Sequence, residues 1–122
     1  MSHAPLPHDH NRISHQILES LPDQGAFSAA AELLHLLSDD SRIRLFWILC
    51  HCEECVINLS AMMHMSSPAL SHHLKLLKSS GLVLSRREGK EVYYRAADTE
   101  AVRLLHNAAE ALLAISCPGD EK

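Results

Sequence analysis

Three of the four cysteines lie in one short segment, Cys50-His51-Cys52-Glu53-Glu54-Cys55. Cysteine thiolates bind soft or borderline ions, such as zinc, cadmium, lead or arsenite. Cys52 and Cys55 stand in a C-x-x-C relation, so a single turn can present both sulfurs to one ion. Cys50 ends an apolar helix and could instead belong to the core. We therefore predict a metal site on Cys50, Cys52 and Cys55, to which His51, Glu53 or Glu54 could add ligands.

The same thiols permit a second kind of chemistry. The cluster, together with Cys117 near the end of the chain, could switch between thiol and disulfide or persulfide. A redox or sulfide sensor is therefore the alternative to a metal sensor. A thiol oxidoreductase is disfavoured because the C-x-x-C motif lacks a βαβ context, and the chain has no carboxylate pair or phosphate-binding loop. We predict that the protein is not an enzyme.

Histidine is concentrated at the start of the chain, at His3, His8, His10 and His15. His8 and His10 are secondary candidates for metal ligands. A solvated arm is the simpler interpretation of a start rich in histidine and proline. We assign residues 1–25 to a flexible N-terminal arm with a possible short helix.

A basic stretch of chain contrasts with an acidic remainder. Residues 66–95 contain six basic and two acidic side chains, whereas the whole chain has a net charge of −4. A local basic surface on an acidic body can bind phosphates while repelling non-specific contacts elsewhere. The charge distribution therefore predicts a nucleic-acid partner.

The basic stretch begins with a helix that follows another short helix. The sequence predicts helices from Val56 to His64 and, capped by Ser67 with Pro68 at its first position, on to Ser79. This pair matches a helix-turn-helix, whose second helix enters the major groove of DNA. Alone, the second helix could be an ordinary amphipathic surface helix, but the basic hairpin that follows favours DNA binding. The predicted DNA contacts are Ser66, Ser67, Ala69, Ser71, His72, Lys75, Lys78, Arg86, Arg87 and Lys90.

The remaining elements form one domain over residues 26–116, followed by a C-terminal tail over 117–122. Its last helix, about Asp98 to Ile115, is apolar on more than one face, which indicates a partner subunit. The chain shows no signal peptide and no apolar run long enough for a membrane span. We therefore expect a cytoplasmic protein without a membrane partner.

Three segments together resemble the ArsR/SmtB family of bacterial metal-sensing repressors. They are Leu33–Arg42 (LLHLLSDDSR), Ser66–Lys78 (SSPALSHHLKLLK) and Arg86–Tyr94 (RREGKEVYY), and the resemblance covers roughly residues 27–115. It implies a mainly α (α+β) fold, a winged helix-turn-helix with a two-stranded β-hairpin wing. It also implies a homodimer built on the first and last helices, which represses from double-stranded operator DNA. A bound inducer, here Zn, Cd, Pb or As(III), would release it.

The resemblance also bears on the ligands. Cys55-Val56-Ile57-Asn58 aligns with the family's Cys-Val-x-Asp motif, so Cys55 matches a family ligand, while Asn58 replaces the aspartate. At the family's interfacial site, Asp98 and Glu100 align with the first ligand pair. Alanine occupies both positions of the second pair, so we expect that site to be lost or reduced. His106 and Glu110, one turn apart, could form a separate site, although surface polar residues are the simpler interpretation. The two alanines are Ala111 and Ala114.

Overall fold

The computed structural model describes residues 6–10 and 12–116, which divide between two compact units, residues 1–32 and 33–122. The first unit contains helix α1 (Arg12–Ser20) and most of helix α2 (Gln24–Leu36). The backbone N–H of Ala26 donates to Asp23 Oδ1 at 2.9 Å, so Asp23 caps the start of α2. This cap explains why α2 begins at Gln24, directly after Asp23.

The second unit contains the end of α2, four further helices and three short strands. The helices give this unit its bulk, and the strands join into one small sheet. In chain order the elements are α3 (Asp40–His51), β1 (Glu54–Cys55), α4 (Val56–Met63), α5 (Ser67–Ser79), β2 (Val83–Glu88), β3 (Glu91–Ala96) and α6 (Glu100–Ser116).

The core of the second unit lies where α3, α4, α5 and the sheet meet. Phe46 on α3 and Leu59 on α4 are fully buried, as is Leu82 after α5. Burying one leucine or phenylalanine side chain stabilises a fold by about 1.5–3 kcal/mol. Because the core uses residues from every element of the helix-turn-helix, it fixes the outward direction of the polar faces of these helices.

Two N-caps define the starts of α3 and α5. Asp39 Oδ2 accepts from the backbone N–H of Arg42 at 3.0 Å, and this bond lowers the pKa of the Asp39 carboxyl. Ser66 Oγ accepts from the N–H of Ala69 at 3.3 Å. The predicted cap of α5 was Ser67, which is wrong by one residue. Ser66 has the extended backbone of a cap (φ −67°, ψ 156°), and Ser67 is already helical.

The strands form a three-stranded antiparallel sheet in the order β1-β3-β2. Strands β2 and β3 are the predicted hairpin, closed by a two-residue turn in which Gly89 has φ +65°. In β1, Cys55 pairs with Tyr93 of β3, a pairing that the sequence did not predict. It anchors the chain before α4 to the middle of β3.

Helix α6 begins at a Thr99 cap and carries apolar side chains toward both the protein and the solvent. The N–H of Val102 donates to Thr99 Oγ1 at 3.2 Å, and Val102 and Ala109 are buried. Four larger residues remain at least half exposed: Leu104, Leu112, Leu113 and Ile115. No helix among the described residues is long and apolar enough to cross a membrane.

Candidate nucleic-acid interface and sensor residues

Helix α5 separates a buried apolar face from an exposed polar face. Leu70, Leu74 and Leu77 are at most 1% exposed and lock the helix onto the core. The opposite face, which we call the reading face, is exposed at every position predicted to contact DNA. Its residues are Ser67, Ala69, Ser71, His72, Lys75 and Lys78.

A tight turn sets the angle between α4 and α5. His64 ends α4 with a left-handed backbone (φ 55°, ψ 46°), and the N–H of Met65 donates to the carbonyl of Ser60 at 3.1 Å. Across the turn, Ser60 Oγ lies 3.3 Å from Ser67 Oγ, so these hydroxyls share a hydrogen bond. The turn therefore holds the N-terminus of α5, the end that meets base edges in a helix-turn-helix, clear of the protein.

The wing carries two kinds of arginine. Arg86 forms a two-pronged pair with Glu53, at 2.9 Å from Nε and 2.8 Å from Nη2, and a further bond with Glu88. These hydrogen bonds raise the pKa of Arg86 above its ordinary, already high value. The hydrogen bond to Arg86 lowers the pKa of Glu53. Arg86 also lies over the Tyr93 ring, 4.7 Å from its centroid. Its charge is thus largely compensated within the protein.

Arg87 and Lys90 lie at the tip of the same hairpin and are exposed. Neither forms an ion pair with another residue in the described part of the chain. Lys75 and Lys78, on the reading face, are exposed as well and form no ion pair with another described residue. These four cations, two on the reading face and two at the tip of the wing, therefore offer uncompensated charge.

The residues of segment 50–55, which we call the cysteine segment, are in three different environments. Cys50 is partly buried in the last turn of α3, and burial together with the nearby charge of Glu110 raises its pKa to about 11. Cys52 is exposed, and its pKa is raised by partial burial and by Glu54. Cys55 is 8% exposed, within the β1–β3 pairing. The three thiols thus differ in burial and in the charges beside them.

The carboxylates of the cysteine segment also have other partners. Glu53 holds Arg86 of the wing. Glu54 Oε1 accepts from the side-chain amide of Asn58 at 2.7 Å and from the N–H of Cys55 at 3.1 Å. Among the described residues, Cys50, Cys52 and Cys55 do not form a group whose ligand atoms all lie within 4.8 Å. As folded, the three thiols therefore do not converge on one point.

A different group of ligand atoms does converge. His51, His106 and Glu110 each offer one ligand atom, and these atoms all lie within 4.8 Å of one another. We call these residues the histidine–glutamate cluster. In the sequence, His51 is a candidate ligand of the cysteine segment, and His106 and Glu110 are a separate candidate pair. Only the packing of α3 against α6 brings the three together, so no spacing in the sequence could have revealed the cluster.

Within the part of the chain that the structure describes, the secondary metal candidates do not make such a group either. In the first unit, His8 and His10 stack with their ring centroids 5.5 Å apart, and both are exposed. In the second unit, Asp98 and Glu100 both pair with Arg103, at 2.9 and 3.4 Å. His3 and Cys117 lie outside the described residues.

Comparison with known proteins identifies the family. The model of the ArsR family of bacterial regulatory proteins matches residues 39–85, from the cap of α3 into β2. The biofilm growth-associated repressor of Agrobacterium fabrum is 38% identical over 91 residues, 75% of this chain and 74% of that protein. The chain belongs to the ArsR family. It is thus a member of a family of transcriptional regulators, not of enzymes.

Two further curated relatives match over a smaller share of their length. A transcriptional repressor SmtB homolog from Synechocystis is 43% identical over 82 residues, 67% of this chain and 62% of the relative. A cadmium resistance transcriptional regulatory protein CadC homolog from Staphylococcus aureus is 37% identical over 79 residues, 64% of this chain and 65% of the relative. The chain therefore spans a little under two thirds of these two proteins.

Solved structures confirm the winged helix-turn-helix. Reduced HlyU from Vibrio cholerae superposes with a TM-score of 0.65 at 30% identity, covering 77% of this chain and 95% of that one. The homodimeric winged helix-turn-helix DNA-binding domain Mb0332 from Mycobacterium bovis gives a TM-score of 0.68 at 26% identity. The match covers 84% of this chain and 97% of that one. The predicted mainly helical fold with a hairpin wing is thus confirmed, with β1 as a third strand.

Proposed function

We propose that the protein is a transcriptional repressor that binds double-stranded operator DNA as a homodimer. The observation that carries this proposal is the exposed reading face of α5 beside a wing whose tip has uncompensated cations. Serine, histidine and lysine side chains can hydrogen-bond base edges or phosphates, and Ala69 can touch a thymine methyl. Arg87 and Lys90 are suited to the phosphate backbone, which supplies much of the affinity.

The unpartnered face of α6 supports the dimer. Leu104, Leu112 and Leu113 are each at least half exposed, which is costly in water. An apolar cavity of about 410 Å³ adjoins this face between α3 and α6, lined by Trp47 and Ala109 among others. A second copy of α6 could cover both, and the related Mb0332 domain is described as homodimeric. The two reading faces would then address two half-sites.

DNA binding is tested by separating base contacts from phosphate contacts. We expect Ser71→Ala and His72→Ala to reduce the discrimination between operator and random DNA, because they remove base-edge contacts. Arg87→Ala should weaken binding to operator and to random DNA similarly, and should lower the salt dependence of the affinity. The measurement is fluorescence anisotropy at several salt concentrations, with operator fragments selected from random DNA. Unchanged specificity in His72→Ala would mean that the reading face is misassigned.

For the effector, we propose a thiophilic or borderline ion, Zn, Cd, Pb or As(III), acting at the cysteine segment. The exposure of Cys52 and the cadmium resistance named for one relative support this choice. Because the thiols are dispersed as folded, binding requires the segment to rearrange. Under reducing conditions, Cys52→Ser and Cys55→Ser should keep operator binding and lose metal-induced release. Release that persists in both variants would move the effector site elsewhere.

A thiol switch is the second candidate for the effector. The exposed Cys52 and the similarity to a protein solved as its reduced form support it. On this proposal, peroxide or a persulfide donor releases the operator, while cadmium and arsenite under reducing conditions do not. Operator binding followed with each reagent distinguishes the two candidates, and Cys52→Ser is the matched control for both.

A further inference from the structure

We propose that His51, His106 and Glu110 form a site for a borderline divalent cation of the zinc class, which joins α3 to α6. Two imidazole nitrogens and one carboxylate oxygen are a ligand set used by zinc, with a fourth position left for water or another group. This site uses none of the thiols and none of the positions aligned with the family's interfacial site. It does not depend on the proposed operator binding.

The distances to Glu110 are close to those around a tetrahedral ion. Bonds of about 2.0–2.1 Å from zinc to nitrogen or oxygen set neighbouring ligand atoms about 3.4 Å apart. His106 Nε2 lies 3.3 Å from Glu110 Oε2, and His51 Nε2 lies 3.8 Å from the same oxygen. The ligand atoms all lie within 4.8 Å of one another, so rotation of the side chains is the movement that would close the remaining gaps.

Hydrogen bonding prepares His51 to donate a lone pair. His51 Nδ1 lies 2.8 Å from the main-chain carbonyl oxygen of Trp47. A carbonyl only accepts, so Nδ1 carries the proton, and in the neutral ring Nε2 is left with its lone pair facing the cluster. Metal-bound histidines commonly show this arrangement, with the second ring nitrogen held by a carbonyl or carboxylate.

His106 supplies the second, independent observation. Its Nε2 is buried and has no hydrogen-bond partner among the described residues, because Glu110 Oε2 is near but not aligned for a hydrogen bond. A buried polar nitrogen without a partner costs roughly 1–3 kcal/mol. A cation between His106 and Glu110 would satisfy this nitrogen. The ring of His51 lies across it, with centroids 4.9 Å apart.

Glu110 is oriented by a neighbour outside the ligand set. Trp47 Nε1–H donates to Glu110 Oε2 at 2.6 Å and holds the carboxylate against the two histidines. A carboxylate has about four lone-pair positions, so this bond leaves room for a cation. The side chains of His51 and Glu110 are 43% and 48% exposed, which gives an ion access from solvent.

The chemistry of the ligands selects the ion. Imidazole and carboxylate suit zinc, cobalt and nickel, whereas cadmium, lead and arsenite favour thiolates. The cluster should therefore bind zinc and cobalt and reject arsenite, whereas the cysteine segment would accept zinc together with cadmium, lead and arsenite. Zinc and cobalt are the probes for the cluster, and arsenite is the negative control.

The test is metal binding by the full chain under reducing conditions. We expect calorimetry to find one Zn²⁺ per chain at this site, and affinity to fall at least about 100-fold in His106→Ala and Glu110→Ala, beyond the 10–100-fold typical of outer-shell losses. His35→Ala, an exposed histidine at the end of α2, and a His8→Asn/His10→Asn double variant should leave it unchanged. If His106→Ala fails to fold, His51→Ala at the exposed end of α3 replaces it.

Cobalt gives an independent readout, because thiolate ligands add a strong near-ultraviolet charge-transfer band that nitrogen and oxygen ligands do not. We expect Co²⁺ spectra without this band, unchanged by Cys52→Ser. A thiolate band, or binding lost in the His8/His10 variant but kept in His106→Ala, would overturn the proposal. Operator binding by metal-free His51→Ala is measured in parallel. If operator binding persists in this variant while zinc binding is unaffected by all cluster variants, this inference fails and the proposed function stands.

Discussion

In the cysteine segment and the histidine–glutamate cluster, closeness along the chain and closeness in space are opposed. The first is contiguous in sequence, yet its thiols are divided between the end of α3, an exposed turn and a buried strand. The second is drawn from two distant helices, yet its ligand atoms lie within 4.8 Å of one another. His51 belongs to both and turns toward Glu110. Residues that are neighbours along the chain lie in different environments when each packs against a different part of the protein.

The largest expected effect concerns thiol reactivity. Because burial and Glu110 raise the pKa of Cys50 to about 11, and because only the thiolate reacts, we expect iodoacetamide at pH 8 to modify Cys50 roughly 100-fold more slowly than an ordinary thiol. The rate should climb as the pH rises toward 11. Mass spectrometry of the labelled peptides measures both. Exposed Cys52 is the internal control, and Cys50 labelled as fast as Cys52 would contradict the division of environments.

The cluster should be sensitive to its supporting tryptophan. Trp47→Phe keeps an aromatic ring in the apolar cavity but removes the N–H that orients Glu110. We expect zinc affinity to fall about 10–100-fold, as for other outer-shell partners of metal ligands. Calorimetry with Zn²⁺ gives the affinity, and His35→Ala is the control. Equal affinities for Trp47→Phe and wild type would show that this bond does not prepare the site.

The buried and exposed cysteines should differ in their effect on stability. Cys55→Ser places a hydroxyl in a buried position at the β1–β3 pairing, so we expect a loss of about 1–3 kcal/mol in the free energy of unfolding. Cys52→Ser is exposed and should change it by less than about 0.5 kcal/mol. Urea denaturation measures both. Similar losses for the two variants would mean that Cys55 has no structural role.

The smallest effect concerns the salt dependence of DNA binding. Glu53→Gln removes the main partner of Arg86 and leaves only Glu88 to compensate its charge, so the slope of log affinity against log salt should steepen by up to about one. Glu91→Gln, also on the hairpin, removes the same charge without touching Arg86. Anisotropy at several salt concentrations compares the two. Equal slopes would indicate that Arg86 contacts phosphate despite Glu53.

Local patterns predicted most of the fold. The sequence predicted the two helices of the helix-turn-helix and the basic hairpin that follows them, and the structure has all of these elements. The two-residue strand β1 was missed because Glu54 and Cys55 are too few to show an alternating pattern. That strand exists only because β3 offers it an edge.

The sequence by itself determined which helix exposes the polar face, because helical periodicity and side-chain chemistry are local properties. It also supplied the thiols, whose reactivity with soft ions does not depend on the fold. Only the tertiary structure decided which ligands meet. Burial separated Cys50 and Cys55 from Cys52, and Glu53 was drawn to Arg86. The contact of α3 with α6 set His51 beside His106, because distances between remote residues are fixed by packing and not by spacing along the chain.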